Sequence, residues 1–311
     1  MKSTDLLCSI VVTHNAEEVI LSCLESLEAS SLPSTIMVID NGSSDATVEM
    51  VTRRYPHIHV HAGENLGFAG GCNRGIQLAG ADFNAYFFVN PDALVAPSCL
   101  GRLMSALEED PTVAIVSPTI LELETGSILY AGALLDFENL NFGVLTSSPA
   151  PGGSKTRETG RPSGAAMLVR RTSLDQVGPM DDSYFLYWEE CEWAARLHSS
   201  HWKIGYVPDA EVFHSPSHST GGTGSRVYEY YYTRNLLRLV SEVKKISRWE
   251  CVVRVFPIIA RRFPVLASYR QPKRLIEAAR FDALGVFDFL RGKTGHRVDL
   301  PPVSIPNSQP K

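Results

Sequence analysis

The chain has 311 residues, of which 44% are hydrophobic and 20% charged, and its formal net charge is −5, so an intrinsically disordered or low-complexity protein is excluded and no nucleic-acid partner is expected. Its six cysteines are scattered without a CxxC pair, which excludes a disulfide framework and a zinc site and favours a reducing compartment. No apolar run is long enough to span a bilayer and the start of the chain is unlike a secretory signal, so we expect a cytoplasmic protein that is soluble or peripheral at the inner face of the membrane.

Short β-branched runs alternate with helical patterns through the first 110 residues. Strands are predicted at Leu7–Thr13, 34–39, 57–61 and Ala85–Val89, with helices at 17–29, after Asp45, and at 69–79. This alternation predicts βαβ units, and therefore an α/β fold with a mostly parallel central sheet flanked by helices.

Polar residues follow four of these strands. The pairs are Thr13 and Asn15, Asp40 and Asn41, Asn65 and Gly67, and Asn90 and Asp92. Ligands of such sheets bind beyond the carboxyl ends of the strands, so we expect the four pairs to line one crevice.

Two carboxylates in these pairs are suited to a nucleotide ligand. Asp40 can accept a hydrogen bond from the imide N–H of uracil or thymine, although capping of the following turn explains it as well. Asp92 ends a buried strand, where a hard divalent cation can bridge it to phosphate oxygens, although Asn-Pro-Asp is also a common turn. His214 follows a later strand and is a candidate metal or phosphate ligand, with a structural role equally open; His218 is a weaker candidate.

Three acids, Glu189, Glu190 and Glu192, stand at the start of a predicted helix. Adjacent helical residues project about 100° apart, so Glu189 and Glu190 cannot both face the crevice. Glu192 lies four residues before Arg196, which predicts a surface ion pair. One glutamate therefore remains as a general base that takes a proton from a hydroxyl.

The region between these motifs is less regular. Further strands are predicted at 113–117, 127–132, 163–169 and 203–207. The Gly-, Ser- and Pro-rich segment 122–162 includes a stretch near 150–155 that is predicted to be mobile. We expect this segment to shape the side of the site that binds a second substrate, the acceptor.

The charge changes sign along the chain. Residues 1–225 carry 12 Lys and Arg against 27 Asp and Glu, a balance of −15, whereas residues 226–311 carry 17 against 7, a balance of +10. We predict a domain at 1–225, a basic helical region at 226–297 and a Pro-rich flexible tail at 298–311. The basic region, with an apolar and Arg-containing helix at 249–266, either contacts an anionic membrane surface or packs against the acidic domain.

The order and spacing of these motifs resemble glycosyltransferase family 2, specifically its rhamnosyltransferase-like members. The resemblance covers about residues 8 to 240, in runs at 9–15, 38–45, 65–75, 90–92, 163–171, 185–190 and 231–235. It implies the glycosyltransferase A fold with a C-terminal helical, basic appendage. The Asp-x-Asp metal motif is reduced here to Asn-Pro-Asp, as in rhamnosyltransferase-like members, and the commoner Glu-Asp pair is Glu-Glu.

The resemblance also implies roles for individual residues. It assigns Glu190 as catalytic base and Asp92 as metal ligand, and we add His214 to the metal site. The implied nucleotide cradle is Thr13, Asn15, Asp40 and Asn73, to which we add Asn41, Asn65, Gly67 and Asn90 from the same motifs. Donor-sugar contacts are implied near Gly164 and Ala165.

The predicted function is inverting transfer of a sugar from a nucleotide-diphosphate donor to a hydroxyl of a glycan or lipid-linked glycan, assisted by Mg²⁺ or Mn²⁺. The favoured donor is dTDP-rhamnose, with a UDP-sugar second. A catalytically idle nucleotide-sugar-binding or scaffold protein with the same fold is the alternative. A dinucleotide-dependent enzyme is disfavoured because no GxGxxG loop follows the first strand.

Overall fold

The computed structural model of the protein describes residues 7–147, 156–215, 225–262, 272–297 and 300. The chain divides into two compact units, Met1–Asp182 with Glu189–Ser215 and Ser183–Trp188 with Pro216–Lys311. The stretch predicted to be mobile near 150–155, His218, and the tail at 298–311 apart from residue 300 lie outside the described residues.

A ten-stranded sheet forms the centre of the first unit. Its strands are β1 (Leu7–Thr13), β2 (Thr35–Asp40), β3 (His59–Ala62), β4 (Ala85–Val89), β5 (Ala93–Val95), β6 (Val113–Glu122), β7 (Ile128–Tyr130), β8 (Arg157–Glu158), β9 (Ala166–Arg170) and β10 (Lys203–His214). The strand order is β3-β2-β1-β4-β9-β6-β10-β5, with β7 beside β6 and β8 beside β10.

Helices flank the sheet and build the second unit. Those of the first unit are α1 (Ile20–Glu28), α2 (Thr47–Arg54), α3 (Gly67–Ala79), α4 (Cys99–Glu109), α5 (Arg171–Val177) and α6 (Glu189–Ser199). Those of the second unit are α7 (Arg226–Lys244), α8 (Arg248–Ala260) and α9 (Pro272–Leu290). Among the described residues, no helix is both long and apolar enough to cross a membrane.

The sheet is parallel in its first half and mixed beyond it. Strands β3, β2, β1 and β4 pair in parallel, as the βαβ pattern predicts. Strand β9 then enters between β4 and β6 and is antiparallel to both. A parallel neighbour needs a long crossover, usually a helix, and none is found in the described part of the chain between β6 and β9.

Close packing of α3 on β1 places the start of this helix beside the carboxyl ends of the parallel strands. A Cβ atom on Gly71 would lie 2.5 Å from Cγ1 of Val12, and one on Gly75 would lie 2.5 Å from Cγ2 of Ile10. Only glycine permits this approach, which explains the two glycines four residues apart in the motif at 65–75. The packing also brings Gly71 close to Asn41, whose side-chain nitrogen would be 3.0 Å from the added Cβ.

Candidate active site

The loops after β1 and β2 are joined by hydrogen bonds. The backbone N–H of Asn41 donates to the carbonyl of Thr13 at 2.8 Å. The N–H of Asn15 donates to Oγ of Ser43, and Oδ1 of Asn15 accepts from the N–H of Ser44, both at 2.8 Å. Asn15 has a φ of 50°, a left-handed conformation that asparagine tolerates better than most residues. The structure thus brings Thr13, Asn15 and Asn41 together, as the sequence predicts.

Asp40 has a local structural partner in this loop. Its buried carboxylate accepts hydrogen bonds from both the backbone N–H, at 3.0 Å, and the hydroxyl of Ser43. Turn capping by Asp40, one of the two roles considered above, is therefore present, and recognition of a base by this side chain stays a prediction. Nearby, Oγ1 of Thr13 is buried and, within the described part of the chain, has no hydrogen-bond partner.

The first turn of α3 is attached to the same loops. Nδ2 of Asn41 donates to the carbonyl of Gly67 at 2.8 Å, and Oδ1 of Asn65 accepts from the N–H of Gly67 at 3.0 Å. Asn73, six residues after Gly67 in α3, donates from Nδ2 to the carbonyl of Met180 at 2.8 Å. Its Oδ1 is buried without a partner among the residues described. Asn65 and Gly67 therefore lie with the loops after β1 and β2, while Asn73 bonds the chain near residue 180.

Asp92 and His214 form a pair at the ends of two strands. The pairing of β5 with β10 sets His214 opposite Ala93, so that Nε2 of His214 lies 3.0 Å from Oδ1 of Asp92. Nδ2 of Asn90 lies 3.4 Å from the same imidazole nitrogen. The side chains of Asp92 and His214 are only 7% and 11% exposed. Cys23 donates its S–H to the carbonyl of Asn90 at 3.4 Å.

The chemistry of this pair fits a divalent cation. A carboxylate suits Mg²⁺ or Mn²⁺, and an imidazole suits Mn²⁺ better than Mg²⁺. Within the residues that the structure describes, Asp92 and His214 are not part of a group of three or more His, Cys, Asp or Glu side chains able to hold a metal. An ion held by this pair would take its other ligands from water and from phosphate oxygens, as Mg²⁺ commonly does.

Glu190, in the first turn of α6, has an arginine partner that the sequence motifs do not indicate. Nη1 of Arg161 lies 3.3 Å from Oε1 of Glu190, and the two side chains are largely buried. Arg161 also donates from Nη2 to the carbonyl of Phe142 at 3.3 Å. Arg161 lies in the Gly-, Ser- and Pro-rich segment 122–162, and no spacing rule in the sequence connects it to a glutamate 29 residues later.

The neighbouring acids diverge as helix geometry predicts. Glu189 is buried, and its pKa is raised well above the ordinary value of 4.5, first by burial and then by the adjacent charge of Glu190. Glu192 pairs with Arg196 at 2.6 Å, which confirms the predicted i,i+4 ion pair. Within α6, the Oε1 atom of Glu190 accepts only a weak hydrogen bond from the S–H of Cys191, at 3.7 Å. Glu190 is therefore the acid of this turn that is neither fully buried, as Glu189 is, nor in an ion pair within its own helix.

Residues 161–165 connect the Arg161–Glu190 ion pair to the Asp92–His214 pair. Arg161 contacts Glu190, and the carbonyl of Ala165 accepts from the N–H of Asn90 at 3.0 Å. Four residues span at most about 14 Å, so the two pairs border the same short segment. A Cβ on Gly164 would meet nothing within 4 Å, so open space lies beside this glycine.

A cavity of about 470 Å³ is lined mostly by residues of the segment 122–162, which is predicted to shape the acceptor side. It is lined by Ala131, Gly132, Ala133, Leu134, Leu145, Arg157, Glu158, Thr159, Gly160, His198 and Tyr206. Gly160, on its wall, is next in sequence to Arg161.

Comparisons with known proteins identify relatives of this chain. Residues 8–178 match the family model described as Glycosyl transferase family 2. An N-acetylglucosaminyl-diphospho-decaprenol L-rhamnosyltransferase from Mycobacterium tuberculosis is 30% identical over 244 residues, which are 70% of this chain and 78% of the relative.

Two solved structures share the fold at lower identity. The mannosyltransferase PcManGT from Pyrobaculum calidifontis, in complex with GDP-Man and Mn²⁺, has a TM-score of 0.57 and 16% identity over 89% of this chain and 86% of its own. A structure of GalNAc-T7 with UDP, GalNAc and Mn²⁺ has a TM-score of 0.60 and 16% identity over 80% of this chain, which spans about half, 52%, of that protein. Both support the predicted glycosyltransferase A fold.

The family match covers more than half of the chain and includes the loops after β1, β2 and β4. Glu190 and His214 lie beyond residue 178, so their assignment depends on the geometry described above. The resemblance to rhamnosyltransferase-like members is confirmed by the relative at 30% identity. The chain is a glycosyltransferase and belongs to glycosyl transferase family 2.

Proposed function

We propose that this glycosyltransferase moves rhamnose from a nucleoside-diphosphate donor to a hydroxyl of a lipid-linked glycan, with inversion at the anomeric carbon. The observation that carries the proposal is the link through residues 161–165 between a cation-binding pair, Asp92 and His214, and a carboxylate, Glu190. A diphosphate leaving group and an acceptor hydroxyl need these two kinds of group on either side of the reacting carbon.

The donor is assigned to the loops at the sheet edge. Thr13, Asn15 and Asn41 stand at the carboxyl ends of β1 and β2, where nucleotides bind in open α/β sheets. The buried Oγ1 of Thr13 has no hydrogen-bond partner among the described residues and is available to a ligand. The open space beside Gly164 gives the donor sugar room near Asn90.

Asp92 and His214 are assigned to the diphosphate. A divalent cation held by this pair would offset the negative charge that grows on the departing diphosphate. Supporting this assignment, the two solved structures of similar fold contain Mn²⁺ and a nucleotide or nucleotide sugar. The near-complete burial of both side chains would strengthen the attraction between the carboxylate of Asp92 and a bound cation.

Glu190 is assigned as the general base. Its carboxylate takes the proton of the acceptor hydroxyl while the hydroxyl oxygen bonds to the anomeric carbon. The bond from that carbon to the diphosphate oxygen breaks in the same step, and the diphosphate leaves with the electron pair. One displacement inverts the configuration. Arg161 restrains the carboxylate that performs this transfer.

The donor and acceptor are proposed from the relative and the Asn-Pro-Asp motif. The printed name of the Mycobacterium tuberculosis relative gives rhamnose as the transferred sugar and a diphospho-decaprenol-linked N-acetylglucosamine as the acceptor. We therefore favour dTDP-rhamnose as donor and a polyprenyl-diphosphate-linked sugar as acceptor. A UDP-sugar is the second donor candidate.

An anionic membrane surface is the proposed site of encounter with such an acceptor. Trp249, Val253 and Phe256 lie on one side of α8 and are 68%, 60% and 60% exposed; we call them the α8 apolar face. Exposed arginines at 248, 254 and 261 border this face. A basic helix with exposed Trp and Phe is typical of binding at the interface of a bilayer.

Product analysis with defined substrates tests the proposal. Purified protein would be incubated with dTDP-rhamnose or a UDP-sugar, with Mn²⁺ or EDTA, and with a short-chain prenyl-diphosphate N-acetylglucosamine as acceptor. We expect a rhamnosylated product only with acceptor and metal, and an anomeric configuration opposite to that of the donor by NMR. A retained configuration would overturn the mechanism. Donor binding without any transfer would favour the catalytically idle alternative.

A further inference from the structure

The segment Ser183–Trp188 has an unusual backbone for its sequence. Phe185, Tyr187 and Trp188 have φ angles of 68°, 66° and 74°. The left-handed region favours glycine, and bulky aromatic residues are rarely found there. Three such residues within four positions persist only where the surrounding structure holds them, and strain of this kind concentrates at functional sites.

One side chain of α7 holds this segment by its backbone carbonyls. Nδ2 of Asn235 lies 2.8 Å from the carbonyl oxygens of Tyr184 and Leu186 and 3.1 Å from that of Tyr187. Asn235 is fully buried. These three carbonyls are where the backbone of the segment turns, so the amide fixes its path.

Arg234 fixes the amide and adds a fourth bond. Its Nε donates to Oδ1 of Asn235 at 2.9 Å, which sets the orientation of the amide group. Its Nη2 donates to the carbonyl of Tyr184 at 3.0 Å. The guanidinium lies 5.3 and 4.8 Å from the ring centroids of Tyr230 and Tyr231, within cation–π range. Arg234 is thus restrained on every side and is 1% exposed.

The segment leads directly into the general base. Trp188 precedes Glu189, the first residue of α6, and Glu190 is the second. We propose that Arg234 and Asn235 are positioning residues for sugar transfer, because they hold the strained backbone of Ser183–Trp188 from which Glu190 follows. This inference rests on the proposed role of Glu190.

The test compares two alanine variants on α7. Asn235→Ala removes the donor to three carbonyls of the segment. Thr233→Ala is the matched control, because Thr233 is equally buried and bonds Asp282 of α9 rather than the segment. For each folded variant, kcat, donor affinity, and amide hydrogen exchange of residues 183–190 would be measured at full length.

For Asn235→Ala we expect kcat to fall at least tenfold, donor affinity to stay within about twofold, and exchange at 183–190 to rise. Folded Thr233→Ala should match wild type in kcat, in donor affinity and in exchange at 183–190, even if less of this variant folds. If Asn235→Ala does not fold, Arg234→Lys serves in its place, with the same results expected. Unchanged kcat in a folded variant, or a fall shared equally by Thr233→Ala, would overturn the proposal.

The exchange measurement separates this inference from the proposed function. A wild-type protein without transfer activity would refute the proposed function, and the comparison of exchange rates would still report whether Asn235 holds the segment. Equal exchange at 183–190 in wild type and Asn235→Ala would refute the positioning role even in an active enzyme.

Discussion

Arg161 and Glu190 form an ion pair, with Nη1 of the arginine 3.3 Å from Oε1 of the glutamate. The arginine begins the segment that ends at Ala165, and Ala165 is hydrogen-bonded to Asn90 beside the Asp92–His214 pair. The proposed base and the proposed diphosphate site are therefore both attached to a single five-residue segment.

Removing Arg161 should slow transfer more than it weakens donor binding. We expect Arg161→Met to lower kcat on the order of 10- to 100-fold, because a misplaced catalytic group costs this much, while donor affinity changes little. Arg196→Met, which removes the ion pair with Glu192 on the same helix, is the control. Steady-state kinetics and donor titration would measure both, and equal loss in the two variants would show that Arg161 acts only through stability.

Removing Asp92 or His214, the pair proposed to bind a cation, should weaken metal-dependent donor binding. We expect Asp92→Asn and His214→Ala each to raise the donor Kd measured with Mn²⁺ by about 10- to 100-fold, in the range seen when support of a metal ligand is lost. Donor binding with EDTA should be equally weak in wild type and variants. Asp209→Asn, an exposed aspartate on the same strand as His214, should behave as wild type. A strong Mn²⁺ effect that survives in both variants would contradict the assignment.

The buried Glu189 should make stability depend on pH. Its folded pKa is raised by burial and by Glu190, so the native state holds the proton more tightly than the unfolded chain does. Glu189 therefore contributes stability below its unfolded pKa, near 4.5, and this contribution is lost as pH rises towards the folded pKa.

The neutral isostere Glu189→Gln tests the direction of this pH dependence. As pH rises from 4.5 to 8, the free energy of unfolding of Glu189→Gln should increase relative to that of wild type. Below pH 4.5 the difference between the two proteins should be constant. Cys72 and Cys191 beside it stay protonated in this range because burial raises their pKa values. Urea denaturation at several pH values would measure the difference, and a difference independent of pH would refute the prediction.

The α8 apolar face should be needed for binding to anionic vesicles. We expect wild type to float with vesicles that contain phosphatidylglycerol, and less so at high salt because salt screens the arginines. The double variant Trp249→Glu and Phe256→Glu should stay unbound. Ile276→Glu, at an exposed apolar residue of α9, is the control and should bind. Absence of wild-type binding would favour the alternative in which the basic region pairs within the chain.

Periodicity and turn chemistry were sufficient to predict the first half of the sheet. The runs at Leu7–Thr13 and Ala85–Val89 became strands with the predicted bounds, because each is a buried, β-branched or aromatic run that ends in a polar turn. The direction of β9 was beyond such patterns. Its small-residue sequence predicts a strand, whereas its antiparallel pairing depends on a connection that contains no described crossover helix.

Partners distant in sequence account for what the motifs missed in the site. The loops that carry Asn15, Asp40 and Asn41 were predictable because each follows a strand. Arg161 was not, because its link to Glu190 exists only once the residues after β8 and helix α6 have packed in the same unit. The left-handed backbone at Phe185 was likewise not predictable, since its sequence has no glycine or turn signal and the conformation depends on Asn235.

The central claim is that Glu190 is the general base, and a comparison of two neutral isosteres tests it most directly. Glu190→Gln and Glu192→Gln would be assayed for kcat and for donor affinity with Mn²⁺. We predict that Glu190→Gln lowers kcat by about 10²- to 10⁴-fold with donor affinity retained, whereas Glu192→Gln keeps wild-type kcat. A Glu190→Gln variant that transfers sugar at a rate comparable to wild type would contradict the account.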